Sequence, residues 1–230
     1  LTSQFVERMR TVLLAYARRN PEVGYCQGMN FVVASILLVC ESNEDSFWLL
    51  AHMVEEVLPD HYVQSMIGHT VDRQVTEQLV EHHLPQLAKH LRDLQMSMPF
   101  VTTHWFLCLF VTALPSESAF RLWDLILCLD AAWTFRASLA LFAMMEAQDL
   151  LETHDLGTAV FVIKSSTRAA FDANEIIELA NGRFGEIGNE LIIRLRREWR
   201  KRTMEQLHAK LRVKELYEAQ QQVTATFAVE

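Results

Sequence analysis

Nine consecutive residues, Phe31-Val32-Val33-Ala34-Ser35-Ile36-Leu37-Leu38-Val39, contain one hydroxyl and no charge. A helix over this run is apolar nearly all round, which predicts a place in the centre of a domain, covered by other elements. The run to Cys40 is about half of what a bilayer span requires. Directly before it stands Asn20-Pro21-Glu22-Val23-Gly24-Tyr25-Cys26-Gln27-Gly28-Met29-Asn30. Pro21 disfavours helix at Asn20, and glycine suits a backbone that must turn with positive φ or approach another body closely. Gln27 is therefore a polar side chain at the mouth of a buried helix, and functional groups gather on such turns between rigid elements.

The rest of the chain supplies helices to cover the run. Phe5, Met9, Val12, Leu13 and Tyr16 recur at helical spacing, which predicts an amphipathic helix from about Ser3 to Arg19. Ser42-Asn43-Glu44-Asp45 is rich in capping residues and opens another helix, stopped by Pro59. His61 to His69 reads as irregular. Val71 to Val80, a segment opened by Pro85, the run Trp105 to Val111, and a segment entered at Pro115 follow. Further helices are expected over about Thr134 to Leu151, Asp155 to Ser166 and Ala173 to Ala180. Gly182, Gly185 and Gly188 mark a turn region before a long charged helix from about Asn189 to Gln220, and the tail to Glu230 reads as frayed. With 7 glycines and 5 prolines among 230 residues, there is little punctuation for strands, and the fold class expected is all-α.

Several function classes lose support at once. The net charge of −8 disfavours a nucleic-acid partner, because phosphate neutralisation needs clustered Lys and Arg. The four cysteines, Cys26, Cys40, Cys108 and Cys128, form no Cys-x-x-Cys pair and read as buried thiols of a reducing compartment. No His-x-x-x-His pair occurs among the 9 histidines, so no metal site is expected. Neither a phosphate-binding Gly-x-x-x-x-Gly-Lys-Ser/Thr nor Gly-x-Gly-x-x-Gly is present, and Gly-x-Ser-x-Gly is missing. Arg121 and Asp124 lie three apart around Trp123, a spacing at which guanidinium and carboxylate meet on one helical face. Taken alone, that is an ordinary surface pair.

Together these residues carry a resemblance. The segment Asn20 to Asn30 closely resembles the Tyr-x-Gln motif of TBC domains, the Rab GTPase-activating proteins. Leu114-Pro115 followed by Arg121-x-Trp123-Asp124, and preceded by Trp105-Phe106-Leu107-Cys108-Leu109-Phe110, is similar to that family's third signature. The resemblance runs from Leu1 to roughly Trp199. It implies a two-lobed, multi-helix domain over 1–200, lacking its N-terminal helices because the chain opens on Leu1, with 201–230 as the end of a charged helix and a tail. It implies that Gln27 orients the attacking water of a GTP-bound Rab in trans, while GTP and Mg²⁺ are carried by that partner and the chain has no cofactor of its own. It implies that Gly24 and Gly28 let the loop enter the nucleotide pocket, that Tyr25 and Asn30 hold it in shape, and that Pro115, Arg121, Trp123 and Asp124 brace it from an adjacent helix.

The chain departs from the family at the signature Ile-x-x-Asp-x-x-Arg, which supplies an arginine finger. Arg8 has Phe5 and Thr2 at the Asp and Ile positions, and Arg10 has Glu7 and Gln4. Either the finger lies on residues preceding Leu1, which is the expectation, or the protein is a catalytically silent Rab-binding effector or scaffold. The stakes are large, since such a finger contributes on the order of 10³ to 10⁵ in rate, roughly 4 to 7 kcal/mol of barrier. Separately, Arg194, Arg196, Arg197, Arg200, Lys201 and Arg202 form a basic cluster. It reads either as a solvated helix face or as a contact for an anionic membrane, which would make a cytoplasmic protein peripheral on endomembranes.

Overall fold

A computed structural model of the chain describes residues 2–227. Eleven α-helices, one π-helical turn and one 3₁₀ turn make up its regular structure, with no strand among the described residues. The helices are α1 (Ser3–Arg19), α2 (Met29–Val39), α3 (Asn43–His52), α4 (Ile67–His83), α5 (Pro85–Asp93), α6 (Met98–Leu107), α7 (Ser116–Cys128), α8 (Ala132–Ala147), α9 (Leu156–Ala169), α10 (Ala173–Phe184) and α11 (Asn189–Phe227). Starts follow capping chemistry: Thr2, Ser42, Asp155 and Asp172 each accept a backbone N–H of the first turn through the side chain. Pro85 sits in the first turn of α5, where its missing N–H leaves no helical bond unmade.

Two groups of helices pack around one continuous core. In the first, α1, α2 and α3 pack on one another. In the second, α8 lies in the middle, touching α4, α6, α7, α9 and α10, and Phe135, Leu139, Leu141 and Phe142 are almost wholly enclosed. α11 lies along α4, clamped by polar contacts. Arg196 makes a forked ion pair with Asp72 at 2.7 and 2.5 Å, Arg200 reaches Asp60, the Trp199 indole donates to Gln78 Oε1 and Thr203 to Gln74 Oε1.

The structure differs from the sequence expectation in several places; α8 ends at Ala147 rather than Leu151, and α11 continues to Phe227 where a frayed tail is expected after Gln220. α2 is not enclosed on every side. Val32, Val33 and Ile36 are buried, but Phe31, Leu38 and Val39 are about half to two-thirds exposed. A helix apolar all round carries no signal about which face its neighbours cover, and here α1 and α3 cover one side only. The run Trp105 to Val111 is not one helix either: α6 stops at Leu107, and Leu109 and Phe110 take left-handed φ of 44° and 67°. Gly182 lies inside α10 rather than in the turn after it. Of the four cysteines, all free, only Cys108 is buried; Cys26 and Cys40 are half-buried and Cys128 is exposed.

Candidate functional site

The turn between α1 and α2 is held at both ends by asparagines. Asn20 closes α1, its N–H returning to the Tyr16 carbonyl at 2.9 Å. Its side-chain Oδ1 accepts the Val23 amide, and its carbonyl accepts the Gly24 amide at 2.8 Å. That closure puts Gly24 at φ 58°, in the left-handed region. At the other end, Asn30 Oδ1 accepts the Gly28 amide at 3.2 Å and lies 3.5 Å from the Tyr25 hydroxyl. Asn30 thus grips the loop on both sides of Gln27. The Cys26 amide points at Met29 Sδ and the Met29 amide at the Cys26 carbonyl, which tightens the same turn. Gln27 itself is exposed, and among the described residues its carboxamide has no hydrogen-bond partner. Tyr25 beside it is 59% exposed, a large ring held in solvent.

Gly28 is the point where the loop meets the body of the protein. It is buried at φ 109°, and a Cβ placed there would stand 3.5 Å from the Leu107 carbonyl oxygen and 3.6 Å from Cys108 Sγ. The surface under it is the strained turn that ends α6. Two buried donors hold that turn: the Tyr62 hydroxyl gives the Leu107 carbonyl a 2.6 Å hydrogen bond, and the Trp123 indole N–H gives the Leu109 carbonyl one of 2.8 Å. Burial pushes the Tyr62 phenol well above its ordinary range, so it stays a proton donor. Burial also raises the Cys26 and Cys108 thiols, which keeps both as neutral thiols around the loop.

The sequence-expected residues separate here. Gly24, Tyr25, Gln27, Gly28 and Asn30 form one compact loop. Trp123 reaches it indirectly, through Leu109. Pro115 stands at the start of α7. Arg121 and Asp124 pair with each other at 2.8 Å on the solvent side of α7, each more than half exposed. Among the described contacts neither touches the Gln27 loop. Tyr62 was not singled out from the sequence, because it sits in a segment without periodicity and its partner is a main-chain carbonyl 45 residues away.

The two arginines weighed against the finger signature, Arg8 and Arg10, are engaged within the chain. Arg8 donates to Asn43 Oδ1 and to the carbonyls of Cys40 and Glu41, joining the end of α2 to the start of α3. Arg10 pairs with Glu7. In the basic cluster, Arg196 and Arg200 are used in the clamp on α4, and Arg202 lies over the Trp199 ring. No helix among the described residues is long and apolar enough to cross a membrane.

Residues 1–151 match the Rab-GTPase-TBC domain family. The chain belongs to that family. It is 36% identical over 182 residues to TBC1 domain family member 2B of Homo sapiens, covering 79% of this chain and 19% of that protein. It is 33% identical over 225 residues to member 2A of Rattus norvegicus, covering 95% of this chain and 23% of that protein. The chain thus spans about a fifth of these relatives. Among solved structures, the TBC domain of a Chlamydomonas flagellar RabGAP superposes with a TM-score of 0.72 at 27% identity, over 80% of this chain and 62% of that one. The Ypt/Rab-GAP domain of Gyp1p shares the fold, with a TM-score of 0.67 at 19% identity over 79% of this chain and 65% of that one.

Proposed function

We propose that this TBC domain docks on a GTP-loaded Rab and contributes Gln27 to GTP hydrolysis. The observation that carries the reading is the loop itself: an exposed carboxamide with no hydrogen-bond partner among the described residues, on a turn fixed by Asn30 on both sides and seated on the body at Gly28. A carboxamide accepts a hydrogen bond from water and donates one to a phosphoryl oxygen, so one group can orient the nucleophile and meet developing charge. Gly24 and Gly28 give the backbone its turn, and Tyr25 and Asn30 keep Gln27 presented. Trp123 supports the loop through the α6 turn, while Arg121 and Asp124 belong to the outer surface of α7. The Rab brings GTP and Mg²⁺. Arg194, Arg197 and Lys201 are the exposed members of the basic cluster left for an anionic membrane, the basis for a peripheral placement on endomembranes.

The test is single-turnover hydrolysis across a panel of GTP-loaded Rabs. Gln27→Ala is expected to lower the stimulated rate at least tenfold, about 1.4 kcal/mol of barrier, with the fold intact. An unchanged rate refutes the assignment to Gln27. A second reading is a silent effector, in which Arg8 serves only to join α2 to α3; GTP-dependent Rab binding with no stimulated hydrolysis by the wild-type protein would decide for it.

A further inference from the structure

Beside the Gln27 loop lies a cleft of about 270 Å³ between α2, α6 and α9. Phe31, Phe100, Val160 and Ile163 give it an apolar wall. Phe31 is 48% exposed and Phe100 62%. Its α9 rim carries Lys164 and Arg168, both exposed, one helical turn apart on the same face. Among the described residues neither has an ion pair, on a chain whose net charge is −8. The volume falls below that of a typical small-molecule site, and suits a protruding side chain better than a cofactor.

The cleft and the loop are built on the same two helices, α2 and α6. Phe31 lies in the first turn of α2, four residues after Gln27, and its amide bonds the Gly28 carbonyl at 3.0 Å. α6 supplies the surface under Gly28 at its end and cleft-lining residues along its length. A body that places its nucleotide at Gln27 therefore lies close to Phe31. We infer that the cleft receives an apolar side chain of the bound GTPase, carried on a segment whose carboxylate faces Lys164 and Arg168. This rests on the functional reading above, and it names the part of the partner that sets affinity rather than rate. An aromatic pocket with a charged rim, desolvated when a partner covers it, is the arrangement in which a few residues dominate binding and the charges set partner choice and salt dependence.

The experiment is a titration of the chain with Rabs loaded with a non-hydrolysable GTP analogue, at low and high salt. The variants are Phe100→Ser and the double variant Lys164→Glu with Arg168→Glu, all exposed positions whose folding is checked by circular dichroism. Each is expected to weaken binding at least tenfold, with the double variant also losing most of the salt dependence. Replacing the facing carboxylate of the Rab by Lys is expected to restore binding to the double variant. Unchanged affinity in either variant overturns the inference. So does a wild-type dimer in sedimentation that the double variant splits, which would assign the cleft to a second copy, or binding to phosphatidylserine vesicles that the variants lose while Rab affinity stays. If no Rab in the panel binds the wild-type chain, both this inference and the functional reading fall. If Rabs bind and hydrolysis is stimulated but the variants match wild type, only the cleft does.

Discussion

Gly28 offers a sharp test of how the Gln27 loop is held. Its φ of 109° lies in a region that residues with a Cβ rarely adopt, yet the space around it is open enough for one: the nearest atoms stand 3.5 to 3.7 Å from the added carbon, ordinary contact distances. Gly28→Ala therefore carries a conformational cost and little steric one, about 1 to 3 kcal/mol if the backbone stays in place. For a domain of this size each kcal/mol corresponds to about 2 to 4 °C, so the melting temperature should fall by roughly 2 to 12 °C. If the peptide instead rotates to escape the strain, the Gly28 amide leaves Asn30 Oδ1 and Gln27 moves with it. Stability then recovers and stimulated hydrolysis drops. Gly24 is the internal control. Its φ of 58° is left-handed and its added Cβ would meet only the Pro21 carbonyl, at 3.9 Å. Asn tolerates that conformation, so Gly24→Asn should cost under about 1 kcal/mol. Calorimetric melting paired with Rab hydrolysis reads both. A Gly28→Ala protein with unchanged melting temperature and unchanged activity would refute the argument that this glycine fixes the loop.

The turn beneath the loop makes a second prediction. Tyr62→Phe leaves the buried Leu107 carbonyl without its 2.6 Å donor, and should cost about 1 to 3 kcal/mol in urea unfolding. Because Tyr62 and Trp123 hold the same turn, Tyr62→Phe and Trp123→Phe should not add, and a strictly additive double variant would show that the two bonds act separately. Acid should act in two stages. Burial, with His61 and Arg73 adding, lowers His69 from 6.5 to about 4, so the unfolded chain takes up a proton that the folded one refuses, and stability falls as pH drops from about 6.5 towards 4. Burial opposes the charge on Asp72, but Arg196 and His61 more than offset it and hold its carboxyl below 3.8. That contribution is present above pH 3.8 and is lost only as pH falls through the lower folded value. Unfolding free energies of His69→Asn against pH check the first stage; a slope between pH 6.5 and 4 equal to wild type would contradict it.

The sequence was most legible where a residue type can do only one thing. Ser42, Pro59, Pro85 and the 3.6-residue spacing of α1 and α4 located helix ends and faces, because capping, ring closure and amphipathic burial leave local marks. It was least legible where an element is apolar throughout. Phe31 to Val39 could not say which of its sides α1 and α3 would cover, and Trp105 to Val111 could not say that α6 ends at Leu107, since Leu109 and Phe110 are held in the left-handed region by tertiary contacts. The same physics explains the charged residues. The basic cluster read as one patch, but whether a guanidinium faces solvent or a buried carboxylate depends on helix placement: Asp72, far away in sequence, takes Arg196, and Asp60 takes Arg200.

The loop and the turn beneath it divide the work of presenting one side chain. Gln27 is exposed while its neighbours are tied down. The Asn30 carboxamide ties Tyr25 and Gly28, and the Gly28 backbone sits against a carbonyl that itself accepts from a buried tyrosine. A carboxamide attached to a flexible loop would have to be ordered when a partner arrives, at a cost of about 1 to 2 kcal/mol per residue fixed. Here that ordering is largely complete in the unbound chain, which suits the role proposed for Gln27, meeting a water and a phosphoryl oxygen with little tolerance for misplacement. The left-handed Leu109 and Phe110 belong to the same account: their strain is offset by the fully buried core they enter, and the turn they make brings Leu107 and Cys108 under Gly28. Variants of that turn should therefore act on Gln27 at a distance, lowering its contribution without touching it.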